Sequence, residues 1–167
     1  WTHRNGGTDH RISHPALGAS LSQIFAVNIG EGDSRRARIT AEPIVAGGVV
    51  YTLDARAGVT ATSTSGAPIW AADVTPRTDN ASDASGGGLS VAGGTVFVAT
   101  GFGELTALDA ASGAELWTQD LDAPGTSAPT VRDDLVYVVA RNSTAWALDV
   151  ATGRIQWQLS WTPSVAN

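Results

Sequence analysis

Hydrophobic and β-branched residues fall in short runs along this chain, and the runs recur. Val49-Val50-Tyr51-Thr52-Leu53, Thr95-Val96-Phe97-Val98-Ala99-Thr100 and Leu135-Val136-Tyr137-Val138-Val139-Ala140 each follow a two-residue turn, Gly47-Gly48, Gly93-Gly94 or Asp133-Asp134. Apolar runs of this length between turn residues read as strands. In the second and third units another run follows, Leu105–Asp109 and Thr144–Asp149, then an Asp-x-x-Ser/Thr-Gly spacer and a strand carrying Trp. Every unit closes on Gly, three residues and Trp: Gly66/Trp70, Gly113/Trp117 and Gly153/Trp157, with Trp spacings of 47 and 40 residues. The Asp carboxylate can accept backbone N–H bonds across the hairpin turn, and Gly supplies the positive φ that closes it. In the first unit Thr62 falls four residues before Gly66, so this Asp is missing and a looser turn is expected.

Units of about 40 residues with four short strands each match a propeller blade. A helical repeat would share the period, but the only helix-friendly stretches are Ala-Leu-Asp and Ala-Glu-Leu, too short to form one. The expected fold is all-β: a β-propeller of four-stranded antiparallel blades, as a partial ring of about three blades plus one extra outer strand. Residues 1–167 then form a single propeller segment, with blades over 39–74, 86–121 and 127–161. Residues 1–38 supply an N-terminal arm, a closing strand and a charged loop. The closing strand is expected over Leu21–Ile29, with Phe25 where the other units place Trp. It should complete another blade rather than begin the first, because a propeller removes its free edges by closing its ring. Residues 75–88 read as a polar loop and Gly86-Gly87-Gly88 as flexible. Three blades cannot close a ring, so the chain is expected to be the N-terminal part of a propeller of about eight blades. Otherwise the remaining blades or another copy would cover its apolar end faces.

Composition narrows the function classes. The 167 residues are 43% hydrophobic and no run approaches the ~18 residues of a membrane-spanning helix. There is no Cys, which removes disulfides, thiolate metal sites and a Cys nucleophile from these residues. Without Met at residue 1, Trp1 is expected to follow a removed signal, a longer N-terminus or an engineered boundary. The net charge of −6 is uneven: residues 1–40 hold five Arg against Asp9, Glu31 and Asp33, and the rest hold five Arg against thirteen acids. An acidic body does not favour nucleic acid, whose binding rests on phosphate neutralisation.

The chemistry-bearing groups each have a plainer reading. His3, Asp9, His10 and His14 gather near the N-terminus, and His10/His14 have the i,i+4 spacing of some zinc sites. Pro15 and Gly6-Gly7 oppose a helix there, which favours a polar arm. Gly101-Phe102-Gly103 lies between strands and reads as a hairpin turn, not a dinucleotide loop. Asp109 and Asp149 could be paired carboxylates, yet they hold the same repeat position and one turn-closing role explains both. Arg35, Arg36 and Arg38 form a basic cluster that either meets an acidic partner or is solvated, the second being favoured. No catalytic, cofactor-binding or metal residues are assigned.

Leu108-Asp109-Ala110-Ala111-Ser112-Gly113-Ala114-Glu115-Leu116-Trp117 and Leu148-Asp149-Val150-Ala151-Thr152-Gly153-Arg154-Ile155-Gln156-Trp157 resemble the quinoprotein-like (PQQ-like) repeat. The resemblance covers roughly residues 39–161. It implies that Trp70, Trp117 and Trp157 dock between neighbouring blades. Phe25–Gly32 followed by Pro43–Tyr51, the long loop and the next two units is similar in order and spacing to the N-terminal region of the BamB family of outer-membrane assembly lipoproteins. That likeness implies a non-catalytic periplasmic scaffold, outer-membrane associated, whose partners are other subunits of the β-barrel assembly machinery. Membrane attachment would be only through a lipid anchor whose Cys is not among these residues, and no cofactor is implied. In that family loops on one face contact the central barrel protein, one of them after the third blade, near Trp161–Asn167. The rivals are part of a PQQ/Ca²⁺-dependent quinoprotein dehydrogenase, which shares the repeat but commonly has a vicinal disulfide, and a ligand-sensing propeller.

Overall fold

A computed structural model describes residues 2–4, 6–11, 16, 18–125 and 127–161. Twelve strands among them form three four-stranded sheets. The first comprises β1 (Ile44–Ala46), β2 (Val49–Leu53), β3 (Gly58–Ser63) and β4 (Pro68–Asp73). The second comprises β5 (Gly87–Ala92), β6 (Thr95–Thr100), β7 (Glu104–Asp109) and β8 (Glu115–Asp120). The third comprises β9 (Thr130–Arg132), β10 (Leu135–Val139), β11 (Thr144–Asp149) and β12 (Ile155–Ser160). Each sheet is an antiparallel meander in sequence order, and the described residues contain no helix. The sheets stand side by side with β1, β5 and β9 as neighbours, which makes these the inner strands of an open, partial β-propeller.

Strand parity decides which neighbour a side chain meets, because successive residues point to opposite faces. In β6, Val96 and Val98 face the first blade, in a core with Ile44, Leu53, Val59, Leu89 and Leu108. Phe97 and Ala99 face the third, in a core with Leu105, Leu121, Val136, Trp146 and Leu148. The middle blade is therefore apolar on both faces, whereas every residue of β12 is exposed.

The three Trp residues hold equivalent positions. Register places Tyr51 opposite Ala61 and Ala61 opposite Trp70, with Phe97–Ala107–Trp117 and Tyr137–Ala147–Trp157 repeating the row. A bulge follows each of these Ala residues, where the outer strand resumes one residue out of step. Trp70 lies over Gly113 of the next blade and donates its Nε1–H to the Ala110 carbonyl at 3.0 Å. Trp117 does the same over Gly153, donating to the Val150 carbonyl at 3.0 Å. A Cβ on Gly113 or Gly153 would come within 2.6 Å of the indole, and both have positive φ, 75° and 69°.

The spacer turns are closed by their Asp. Asp109 Oδ1 accepts the Ser112 amide at 2.8 Å and the Ser112 hydroxyl at 2.6 Å. Asp149 Oδ1 accepts the same pair from Thr152 at the same distances. The first blade corrects the alignment made from sequence. Val49 pairs with Ser63 as Thr95 pairs with Asp109, so Ser63, not Thr62, holds the Asp position. The missing residue lies inside the turn, which is not looser: Ser63 Oγ accepts the Ala67 amide at 3.0 Å and the Ser63 carbonyl accepts Gly66 N–H at 2.9 Å.

One other reading changes. Gly87 and Gly88 open β5 rather than forming a flexible loop, because packing leaves no room for side chains. A Cβ on Gly87 would lie 2.1 Å from the Ala99 carbonyl oxygen, and one on Gly88 2.5 Å from Ala128. Leu21–Ile29, expected as an outer strand, carries no ladder among the described residues. The blade it is expected to complete is not one of the three sheets described. Phe25 nevertheless sits 3.0 Å from where a Gly66 Cβ would be, the same seat that Trp70 takes on Gly113.

Two predictions follow from these geometries. Gly93 has φ 56° and open space around its Cβ position, so Gly93→Ala should cost about 1 kcal/mol of backbone strain. Gly113→Ala should cost that plus a further ~1–3 kcal/mol for displacing Trp70; equal losses in urea unfolding would refute the indole seat. Hydrogen bonding from Ser112 and Thr152 holds the Asp109 and Asp149 carboxyls below their ordinary values. Their contribution is present above the usual carboxylate range and lost as pH falls through the lowered native values. Asp109→Ala and Asp149→Ala should each lower the thermal midpoint at neutral pH and match the parent chain in strong acid.

Candidate functional site

The sequence-selected acids are not brought together. Asp109 and Asp149 lie in equivalent turns of different blades, each occupied by its own hairpin. Of the N-terminal cluster, His3, Asp9 and His10 are among the described residues. His14 and Pro15 lie outside the described residues, as do Trp1 and residues 162–167. Among the described residues no group of three or more His, Cys, Asp or Glu is placed to hold a metal.

His3 and His10 instead bind the inner strands. The Thr2 carbonyl accepts the Val91 amide of β5 at 2.9 Å. His3, only 2% exposed, accepts the Val131 amide of β9 through Nε2 at 3.0 Å. Its Nδ1 lies 3.0 Å from the Thr2 hydroxyl, so this ring is neutral when docked, with its proton on Nδ1. His10 Nε2 meets Thr130 Oγ1 at 3.1 Å and His10 Nδ1 meets the Arg4 carbonyl at 2.8 Å. Arg4 pairs with Glu42, just before β1, at 3.2 Å. Residues 2–4 and 6–10 thus lie along the inner edges of β5 and β9, with Arg4 reaching Glu42 ahead of β1. Their own amides would be open edges there without the arm.

A quinone-and-calcium site belongs on that axis in the quinoprotein enzymes that the repeat resembles. Calcium takes six to eight oxygen ligands, mostly carboxylate and carbonyl. Here the axial edges of β5 and β9 are hydrogen-bonded to Thr2 and His3.

The other surface of interest is built from the connectors. Strand alternation puts the β2–β3, β6–β7 and β10–β11 turns on one face, with the β4–β5 and β8–β9 connectors. Asp54, in the first of these turns, is buried and fully engaged, a role that nothing in the repeat marks. Its Oδ1 accepts the Arg56 and Gly58 amides at 2.7 Å each, and its Oδ2 accepts the Glu31 amide at 2.9 Å. Gly30 and Gly58 make room for it, since a Cβ on either would collide with this carboxylate. The lead-in loop is held further along, where Thr40 Oγ1 bridges the Gly87 amide and carbonyl at 2.8 and 2.9 Å. Of the basic cluster, Arg38 pairs with Asp33 at 2.8 Å, while Arg36 reaches a groove described below.

Residues 55–167 match the family model of the outer membrane protein assembly factor BamB. No curated protein matches the chain in sequence. Among solved structures it is similar to BamB from Moraxella catarrhalis, with a TM-score of 0.61 and 22% identity over 75% of this chain and 38% of that one. It is also similar to the quinohemoprotein alcohol dehydrogenase ADHIIG from Pseudomonas putida HK5, with a TM-score of 0.63 and 26% identity over 80% of this chain and 22% of that one. The computationally designed Ika8 protein shares the fold at a TM-score of 0.62 and 15% identity. The chain therefore spans well under half the length of these relatives, and the repeat geometry, the Trp seats and the family match agree: it belongs to the BamB family.

Proposed function

We propose that the chain acts as a non-catalytic periplasmic scaffold, associated with the outer membrane, that assists assembly of β-barrel proteins by binding other subunits of the assembly machinery. The observation that carries this reading is the occupied axis. Thr2 and His3 hydrogen-bond the inner edges of β5 and β9, in the region where a quinone enzyme of this fold would place its cofactor. Family membership supports the same reading. The similarity to a quinohemoprotein alcohol dehydrogenase favours the rival, a fragment of a quinone- and calcium-dependent enzyme.

One experiment separates them. The purified chain should retain the periplasmic domains of the machinery's central barrel protein on a column. It should show no absorbance change and no alcohol-dependent dye reduction with pyrroloquinoline quinone and Ca²⁺. No retention together with quinone-dependent dye reduction would reverse the assignment.

The arm gives a second prediction. Burial, and then the nearby charge of His10, holds the His3 imidazole below its ordinary value. The charge of the chain's amino terminus acts in the same direction, and the Arg4–Glu42 pair also lies at this junction. The folded state binds the proton less readily than the unfolded chain does. Docking is therefore fully favoured above about pH 6.5 and weakens as pH falls below it. Hydrogen exchange, corrected for its intrinsic rate, should show protection at the Val91 and Val131 amides fading in that window while Val98 stays protected. Unchanged protection at Val131 down to pH 5 would mean that His3 does not hold the arm.

A further inference from the structure

A groove of about 430 Å³ opens on the connector face. Its walls come from separate parts of the chain: Arg36 and Thr40 of the lead-in loop, residues 82–87 of the β4–β5 connector, Gly101, Pro124-Gly125 and Arg141. Arg36 and Arg141 are far apart in sequence and are carried by different elements, yet both reach it. Neither guanidinium has a hydrogen bond or ion pair among the described residues, unlike Arg4 and Arg38. On a chain of net charge −6, this leaves two uncommitted cations on one concave surface.

Both cations are held by rigid backbone. The Ser34 amide donates to the Ala37 carbonyl at 2.7 Å, Ala37 donates back to Ser34 Oγ at 3.1 Å, and Ala37 is buried. The Ile39 amide donates to Asp33 Oδ1 at 3.0 Å, which fixes the loop on the far side of Arg36. The Arg141 amide donates to the Pro124 carbonyl at 2.8 Å, and Ser143 closes its turn with φ 63°. Such fixed bases lower the ordering cost of binding through long side chains. Among the described lining residues the one acid is Asp83, whose Oδ2 accepts the Asn80 amide at 2.9 Å.

We propose that this groove binds an extended acidic peptide segment of a partner protein, with Arg36 and Arg141 each taking a carboxylate. The guanidinium fork matches a carboxylate in bidentate fashion. The cavity is larger than a single inorganic anion requires. Ser82, Ser85 and Thr40 add polar rim groups for main-chain hydrogen bonds. The inference does not depend on the scaffold assignment, because it concerns binding by the purified chain alone.

The test is fluorescence anisotropy with a labelled peptide of eight alternating Asp/Glu and Gly/Ser residues, beside its Asn/Gln counterpart and inorganic phosphate as competitor. The acidic peptide should bind, the amide counterpart should not, and affinity should weaken with added salt. Arg36→Gln with Arg141→Gln should lower affinity at least tenfold with no change in thermal midpoint, since both side chains are exposed. Arg36→Lys with Arg141→Lys should retain part of the binding. Arg77→Gln, in a separate groove beside Glu104 and Glu115, should leave it unchanged. No binding of the acidic peptide, or equal binding to the Arg36→Gln/Arg141→Gln variant, would overturn the proposal. So would phosphate binding at this site without the peptide.

Discussion

The structure depends on one repeated contact: an outer-strand aromatic lying over the turn glycine of the next blade. At Trp70/Gly113 and Trp117/Gly153 the indole covers the glycine and donates its N–H to the carbonyl three residues before it. Three local features converge to make this possible. The bulge after the central Ala turns the outer strand so that its Trp faces the next blade. The Asp carboxylate shapes the hairpin, and so positions both the accepting carbonyl and the glycine. Glycine alone offers positive φ and a flat surface together. The contact adds a buried polar bond to a large apolar face, which fixes the angle between sheets that hydrophobic packing alone would leave adjustable.

The parts legible in sequence are those where a local pattern and a tertiary role coincide. The strand runs around Tyr51, Phe97 and Tyr137, the Asp-x-x-Ser/Thr-Gly turns and the Trp positions are all set by short-range chemistry repeated in register. What was hidden depends on distant residues. Gly87 and Gly88 read as flexible because composition cannot reveal the Ala99 carbonyl and Ala128 pressed against them. Ser63 was displaced by one position because a deletion inside a turn looks the same as one inside a strand until pairing is known. Asp54 resembles any loop acid, and only the approach of Glu31 gives it a partner. A row of His and Gly near the N-terminus suggested metal or arm. That His3 is an acceptor for a β9 amide needed the three inner edges to be assembled first.

The two ends of each blade have separate duties. Hairpins of the Asp-x-x-Ser/Thr-Gly type lie at one end and serve the neighbouring blade, so their acids are committed to structure. The connectors lie at the other end, where loop length differs between blades and side chains such as Arg36 and Arg141 have no hydrogen-bond or ion-pair partner among the described residues. The Asp54 carboxylate and the Thr40 hydroxyl fasten the lead-in loop to the first and second blades at this end. Recognition can vary there without disturbing the Trp seats, which is how one propeller frame supports unlike functions.

The third blade shows that the docking geometry belongs to the blade itself. Trp157 is 45% exposed and covers no glycine among the described residues. Its ring nonetheless sits 6.0 Å from Tyr137 at 50°, against 6.0 Å and 47° for Tyr51/Trp70 and 5.9 Å and 49° for Phe97/Trp117. A neighbouring blade therefore does not impose the orientation; the aromatic–Ala–Trp row and its bulge set it in advance. An indole already held in its docking orientation loses little rotamer freedom when a glycine arrives, which spares on the order of 0.5–1.5 kcal/mol for a side chain immobilised at an interface. Because the same row recurs in every blade, each can present a ready surface to its successor. On the N-terminal side Phe25 takes the equivalent seat on Gly66, so the glycine seat accepts a smaller aromatic as well as Trp.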